Sequence, residues 1–218
     1  MKRLILSLVA GFAGVVSAAP FWTTGSYEWK DWTPLDDNIL LGTVPAKSGT
    51  TTYTWNTPAE TVTNGKLEDK VGDGLTLGVK DGTILTWTFT EAMTIEKIRF
   101  TSQDDYLPAW NGHAYDGIAV KSIEVLPFGT TEWVSLEQSV SWMGPSAINY
   151  AQGINLYATL EAEVGENLAK GIGGLRVTFG DAKRNGNVGN YCAEIEAVGH
   201  PSSADANPVV PGVVFTVE

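Results

Sequence analysis

Cysteine is nearly absent. Cys192 stands alone in 218 residues, so no disulfide closes within the chain and no lipid-accepting cysteine follows the N-terminal segment. A chain without such staples needs a real hydrophobic core or a metal to hold it. Histidine is scarce too, with only His113 and His200. A catalytic thiol would need one of them as its base, and Cys192, beside Ala193 and near Ile195, reads more simply as a small packed hydrophobe. Positive charge is also short: 14 Lys and Arg against 25 Asp and Glu leave a formal charge of −11. A surface of that sign repels phosphate backbones and anionic bilayers, so neither nucleic acid nor membrane is an expected partner. No Ser-His-Asp pattern, zinc pattern or phosphate loop is present. Nor does any stretch keep an amphipathic helical period for more than about three turns.

What is present begins with an export signal. Lys2-Arg3, an apolar run from Leu4 to Val16 and the small residues Ser17-Ala18-Ala19 have the order of a secretory signal peptide. The run is too short to span a bilayer, so no membrane insertion is expected. Cleavage after Ala18 leaves Val16 and Ala18 at the small-residue positions and keeps Pro20 off the cut. Residues 1–18 carry Lys2 and Arg3 and no acid, so their removal makes the chain more acidic still. The expected location is secreted, outside the cell or at its surface.

An aromatic segment, 19–37, follows with Trp22, Tyr27, Trp29 and Trp32 close together. Residues 64–82 are dense in Gly and Asp and read as a string of turns. Period-two alternation then appears repeatedly. Leu85, Trp87 and Phe89 alternate with threonines; Ile98 and Phe100 share a face; Ile123 and Val125 lead into a Gly129 turn and Trp133, a β-hairpin over 118–136. Leu156 to Val164 alternates as a strand, though its Ala and Glu would also suit a helix. Leu175, Val177 and Phe179 form one further strand face, and Tyr191, Ala193, Ile195 and Ala197 another. Trp87 and Trp133 are expected in the core. Short strands separated by turn signals predict an all-β sandwich or barrel. The longest gaps, 103–117 and 139–153, are where function is expected. After Gly199 the composition becomes that of a linker, and Val209–Glu218 resembles the first strand of a further domain or a docking tail.

Four landmarks carry a resemblance. Asn38-Ile39-Leu40-Leu41-Gly42-Thr43-Val44-Pro45 comes first and Leu67-Glu68-Asp69-Lys70 second. The strand Ile123-Glu124-Val125, running on to Phe128-Gly129-Thr130-Thr131-Glu132-Trp133, is the third. The closing pair is Gly174-Leu175-Arg176-Val177-Thr178-Phe179 with Ala193-Glu194-Ile195-Glu196-Ala197-Val198-Gly199. In this order they resemble the discoidin, or coagulation factor C-type, family of galactose-binding-like domains, a fold group that includes bacterial carbohydrate-binding modules. Lys70 and Phe128 depart from its usual Gly and Asp. The resemblance spans residues 38–200, with 201–218 left as linker or the start of another strand. It implies a jelly-roll β-sandwich of antiparallel strands and a structural calcium ion on the early acidic loop and the last strand. Asp69, Asp73 and Thr76, among glycines that free backbone carbonyls, with Glu194 as the distant ligand, would supply hard oxygens for that Ca2+. A plain solvated acidic loop is the alternative.

A sugar site needs an aromatic face and a few planar polar groups. The 106–116 loop offers Trp110, Asn111, His113 and Tyr115, and the 181–187 loop adds Arg184 and Asn187. Alternatively Trp110 and Tyr115 fold back as loop anchors and His113 is a turn residue. For catalysis a sandwich glycosidase needs two carboxylates facing a cleft. The tempting pair is Glu194 and Glu196 on one strand face, but the third acid of a jelly-roll glucanase pattern is missing, with Gly199 and His200 in that region. The expectation is therefore a secreted, non-catalytic module that recognises glycan through loops at one end of a sandwich. The alternative is an adhesion or structural domain that binds another extracellular protein.

Overall fold

Threonine and β-branched residues alternating with Leu, Trp and Phe favour extended backbone, because each residue can place its apolar side on one face. The computed structural model describes residues 19–28, 31–50, 59–67, 77–103, 117–136, 138–142, 154–181, 183–184, 187–188 and 190–203. Among them run β1 (Phe21–Glu28), β2 (Ala46–Gly49), β3 (Leu77–Val79), β4 (Thr83–Gln103), β5 (Ile118–Pro127) and β6 (Val134–Ser135). There follow β7 (Val140–Trp142), β8 (Ile154–Glu161), β9 (Ala169–Phe179), β10 (Lys183–Arg184), β11 (Asn187–Val188) and β12 (Asn190–Pro201). One short 3-10 helix, Ala59–Thr63, joins them. No helix among the described residues is long and apolar enough to cross a membrane.

The pairs are antiparallel, and the fold is the all-β sandwich that the strand pattern predicts. Its hinge is β4. The two strands read separately in the sequence, 84–90 and 95–102, are one strand of 21 residues. Its first half pairs with β2 and β9, and its second half with β8 and β12. Register shifts between Thr88 and Met93 and between Met93 and Ile95 mark where it passes from one layer to the other. The sheet therefore curls over itself: β2, β4, β9 and β5 make one layer, and β1, β8, β4, β12 and β3 the other. Leu85, Trp87, Ile123, Leu175 and Val177 face Ile98, Leu156, Leu160 and Ile195 across a dry core. Phe100 and Phe179 meet edge to face at 6.3 Å. β1, drawn from the aromatic N-terminal segment, extends the second layer by pairing with β8, and Trp22 packs on Phe100 at 6.0 Å.

Three local departures from simple alternation have clear causes. The predicted 118–136 hairpin forms, with Val125 opposite Val134 and Gly129 at φ 79°, but Trp133 is not in the core. It lies on the outer face of β9 against Gly174, where the absence of a side chain leaves room for the indole. Arg176 stacks on it at 4.4 Å and is held by both oxygens of Glu124. β8 ends at Glu161, short of the predicted Val164, because Gly165 (φ 88°) turns the chain and Val164 is fully exposed. On β12 a bulge between Cys192 and Glu194 reverses the alternation, so Cys192 joins Ile195 and Ala197 in the core cluster.

Candidate functional site

Strand β12 reads Cys-Ala-Glu-Ile-Glu-Ala-Val-Gly, and its outer face carries two glutamates. A strand with one wet face should expose them, yet Glu194 and Glu196 are fully buried. Two segments cover them. The N-terminal segment lies along β12: Asn38 bridges to Val198, Ile39 donates its N–H to the Ala197 carbonyl (2.8 Å), and Gly199 N–H donates to Asp37 O (3.1 Å). Gly199 also lets β4 come close on its other side, since a Cβ there would collide with the Thr94 carbonyl. The 59–65 segment packs beside it, with Gly42 N–H bonded to Thr63 O and the Thr63 hydroxyl to Thr43 O (2.6 Å).

Buried carboxylates need partners. Glu196 has a full set: Arg99 Nε donates to its Oε2 at 2.6 Å and the Leu35 N–H to its Oε1 at 2.7 Å. The same guanidinium donates through Nη2 to the Thr33 carbonyl (2.7 Å) and sits 5.8 Å from the Trp32 ring. Glu194 has half a set. Its Oε1 accepts from Gly65 N–H at 3.0 Å, while its Oε2 is buried without a partner. Burial pushes the Glu194 carboxyl up to about 8, the neighbouring Glu196 adds to the rise, and the Gly65 N–H and Arg99 only partly oppose it.

Both flanks of the acidic 68–76 stretch are held on β12. The chain reaches Glu194 at Gly65 and returns at Leu77, which pairs with Cys192. Asp69, Asp73 and Thr76 themselves lie outside the described residues. Among the described residues no group of three or more His, Cys, Asp or Glu forms a metal cage. Yet a buried carboxylate with one unpartnered oxygen fits a hard cation such as calcium. As for the two glutamates as a catalytic pair, they do share a face, but both are sealed beneath the 31–43 and 59–65 segments, and Glu196 is committed to Arg99. Burial also drives the Cys192 thiol far above its usual range, with the Glu194 charge adding to the effect, so it stays protonated and unreactive.

Several strand ends meet at one end of the sandwich. Gln103 at the end of β4 pairs with Asn155, Ser102 pairs with Leu156 and Cys192, and Ile118 pairs with Trp142. Val120 pairs with Phe179, so β9 also ends here. The connections 104–116, 143–153 and 181–190 therefore leave from the same end. Their roots meet around a void of about 10 Å³ bounded by Ser102, Ile118, Phe179 and Cys192. Arg184 and Asn187 are brought opposite one another in the β10–β11 hairpin. Trp110, Asn111, His113 and Tyr115 lie outside the described residues. Sequence reasoning missed Arg99, whose partner Glu196 is 97 residues away, and nothing in the local pattern links the two.

No family model matches the sequence, and no curated protein matches it. Solved structures do. An F5/8 type C domain from Bacteroides fragilis shares 14% identity over 78% of this chain and 97% of its own, with a TM-score of 0.46. The lectin domain of lectinolysin, solved with Lewis B antigen, shares 13% over 74% and 96% (TM-score 0.42). A fucose binding module from Streptococcus pneumoniae shares 14% over 73% and 96% (TM-score 0.40). None of these likenesses fixes a ligand for this chain.

The Glu194 geometry has a pH signature. Its folded value lies near 8 and the ordinary value near 4.5, so between the two the folded state binds more protons than the unfolded one. Stability then falls as pH rises through that window and levels off above it. With a chelator present, thermal melting of the wild type should drop from pH 5 to pH 8. Glu194→Gln, which keeps an acceptor for Gly65 and cannot ionise, should show a flatter profile. Parallel profiles for the two proteins would remove the buried charge from the account.

Proposed function

We propose that the chain is a secreted, non-catalytic binding module that recognises carbohydrate through the loops at one end of its β-sandwich. What supports this reading is that the strand ends at Gln103, Ile118, Trp142, Asn155 and Phe179, which flank the long connections, lie at one end of the framework. Loops of that composition, bearing Trp110, Asn111, His113 and Tyr115 beside Arg184 and Asn187, would combine a stacking face with planar hydrogen-bonding groups. The two strand glutamates that a hydrolase would need are used instead to fasten the fold. Export rests on residues 1–18.

A structural calcium ion belongs to the same proposal. Glu194 would meet it through its unpartnered oxygen, and Asp69, Asp73 and Thr76 would complete the ligand set. Bound there, a cation would offset the buried charge and fix the acidic loop onto β12. At pH 8, calcium should raise the melting temperature of the wild type and leave that of Glu194→Gln unchanged. A wild-type melting temperature indifferent to calcium and to chelator would rule the ion out.

The binding reading is tested on a glycan array. A defined sugar preference that Trp110→Ala abolishes, with the melting temperature retained, supports it. Silence across diverse glycans would favour a protein-binding adhesion domain instead, and retained binding in Trp110→Ala would move the site away from the 106–116 loop.

A further inference from the structure

The outer face of the second layer is covered by the N-terminal segment over β12 but opens beyond it, across β4, β8 and β1. Register sets the floor there. Lys97 lies opposite Glu161, Arg99 opposite Thr159 and Thr159 opposite Thr23. These side chains, with Tyr157 among them and Leu35 at the border, line a groove of about 310 Å³. That volume is at the lower end of small-molecule sites, roughly 300 Å³ and upward.

Two features give the groove its chemistry. The first is an aromatic surface held down on the sheet. Tyr157 pairs with Gly25, and a Cβ at Gly25 would collide with the Tyr157 phenol, so the ring lies across the glycine backbone rather than standing off it. Glycine in mid-strand is otherwise unfavourable, and here it makes room for the ring. The second is a balanced set of donors and acceptors. Lys97 and Arg99 bring two positive charges, against Glu161 in the groove and Glu196 behind Arg99. Several of these groups are already oriented: the Thr23 hydroxyl donates to Glu161 Oε1 at 3.0 Å, and Arg99 is fixed by Glu196 and Thr33. An anion would meet Glu161 and a cation would meet Lys97, while an apolar ligand would strip water from both without replacing it. A hydroxyl both donates and accepts, so neighbouring hydroxyls on one ring satisfy an ammonium and a carboxylate together, and the C–H face of that ring covers a phenol.

From this geometry we infer that the β1–β8–β4 groove is a second ligand site, separate from the end loops, for an uncharged saccharide. It does not depend on the loop reading.

The test is an amide chemical-shift titration of the full chain with neutral hexasaccharides of β-1,4-glucan, β-1,3-glucan, xylan and mannan, and with oligogalacturonate as the acidic control. At least one neutral probe should give saturable shifts at Thr23, Lys97, Arg99 and Thr159. Glu161→Gln and Lys97→Met, at part-exposed positions, should each weaken that binding about tenfold, the loss expected when one partner of a charged hydrogen bond is removed. Trp110→Ala should leave these shifts in place, so failure of the loop site and failure of the groove are read separately. Shifts confined to 104–116 and 181–190, shifts seen only with oligogalacturonate, or none with any neutral probe would overturn the groove.

Discussion

Arg99 and Glu196 hold the outer face of β12 together. A carboxylate with no exposure needs a partner on each oxygen, and here a guanidinium at 2.6 Å and the Leu35 N–H supply them. The pair does more than cancel charge. Through Thr33, Leu35 and the Trp32 ring it fastens a segment without strand structure of its own onto the sheet, over Glu196. Removing one member would leave the other buried and uncompensated, a loss of about 3–5 kcal/mol in comparable settings.

This arrangement divides the labour between the two sides of the curled sheet. The inner side is apolar and close-packed, with Phe100 and Phe179 joining the layers. The outer side is polar and cross-linked: Arg99–Glu196 on one layer, and Arg176–Glu124 with Trp133 on the other. Side chains held this way lose little further freedom when a ligand arrives, which is the condition for a useful binding surface. Strand ends at Gln103, Ile118, Asn155 and Phe179 meet at one end, and the open part of the outer face offers the groove.

Much of the framework was legible because inward-facing residues recur every second position: Leu85 and Trp87, Ile98 and Phe100, Ile123 and Val125, Leu175 and Val177 all face the core. The alternation misleads where backbone irregularity changes its phase. The bulge after Cys192 turns that residue inward, and Gly165 cuts β8 short. Trp133 misled for a different reason, since an indole is large enough to be buried in a core or to cap a face, and only Gly174 across the sheet decides which. Glu194 is named as a calcium ligand only by the family resemblance, and its burial could not be read from a strand pattern that puts it on a wet face. The groove was invisible in the sequence because its lining comes from three strands and its key permissive residue, Gly25, contributes no side chain.

The outer cover of β12 depends most on two carboxylates being closed over by backbone donors. Native-state hydrogen exchange at the Leu35 and Gly65 amides measures that closure directly. Both lie in irregular segments, where amides ordinarily exchange through small local openings. If Glu196 and Glu194 hold them, both should be protected to nearly the same free energy as the core amides of β12. Exchange at the rate of an open loop would show that the N-terminal segment and the 59–65 segment are not fastened to β12, and would contradict the account at its base.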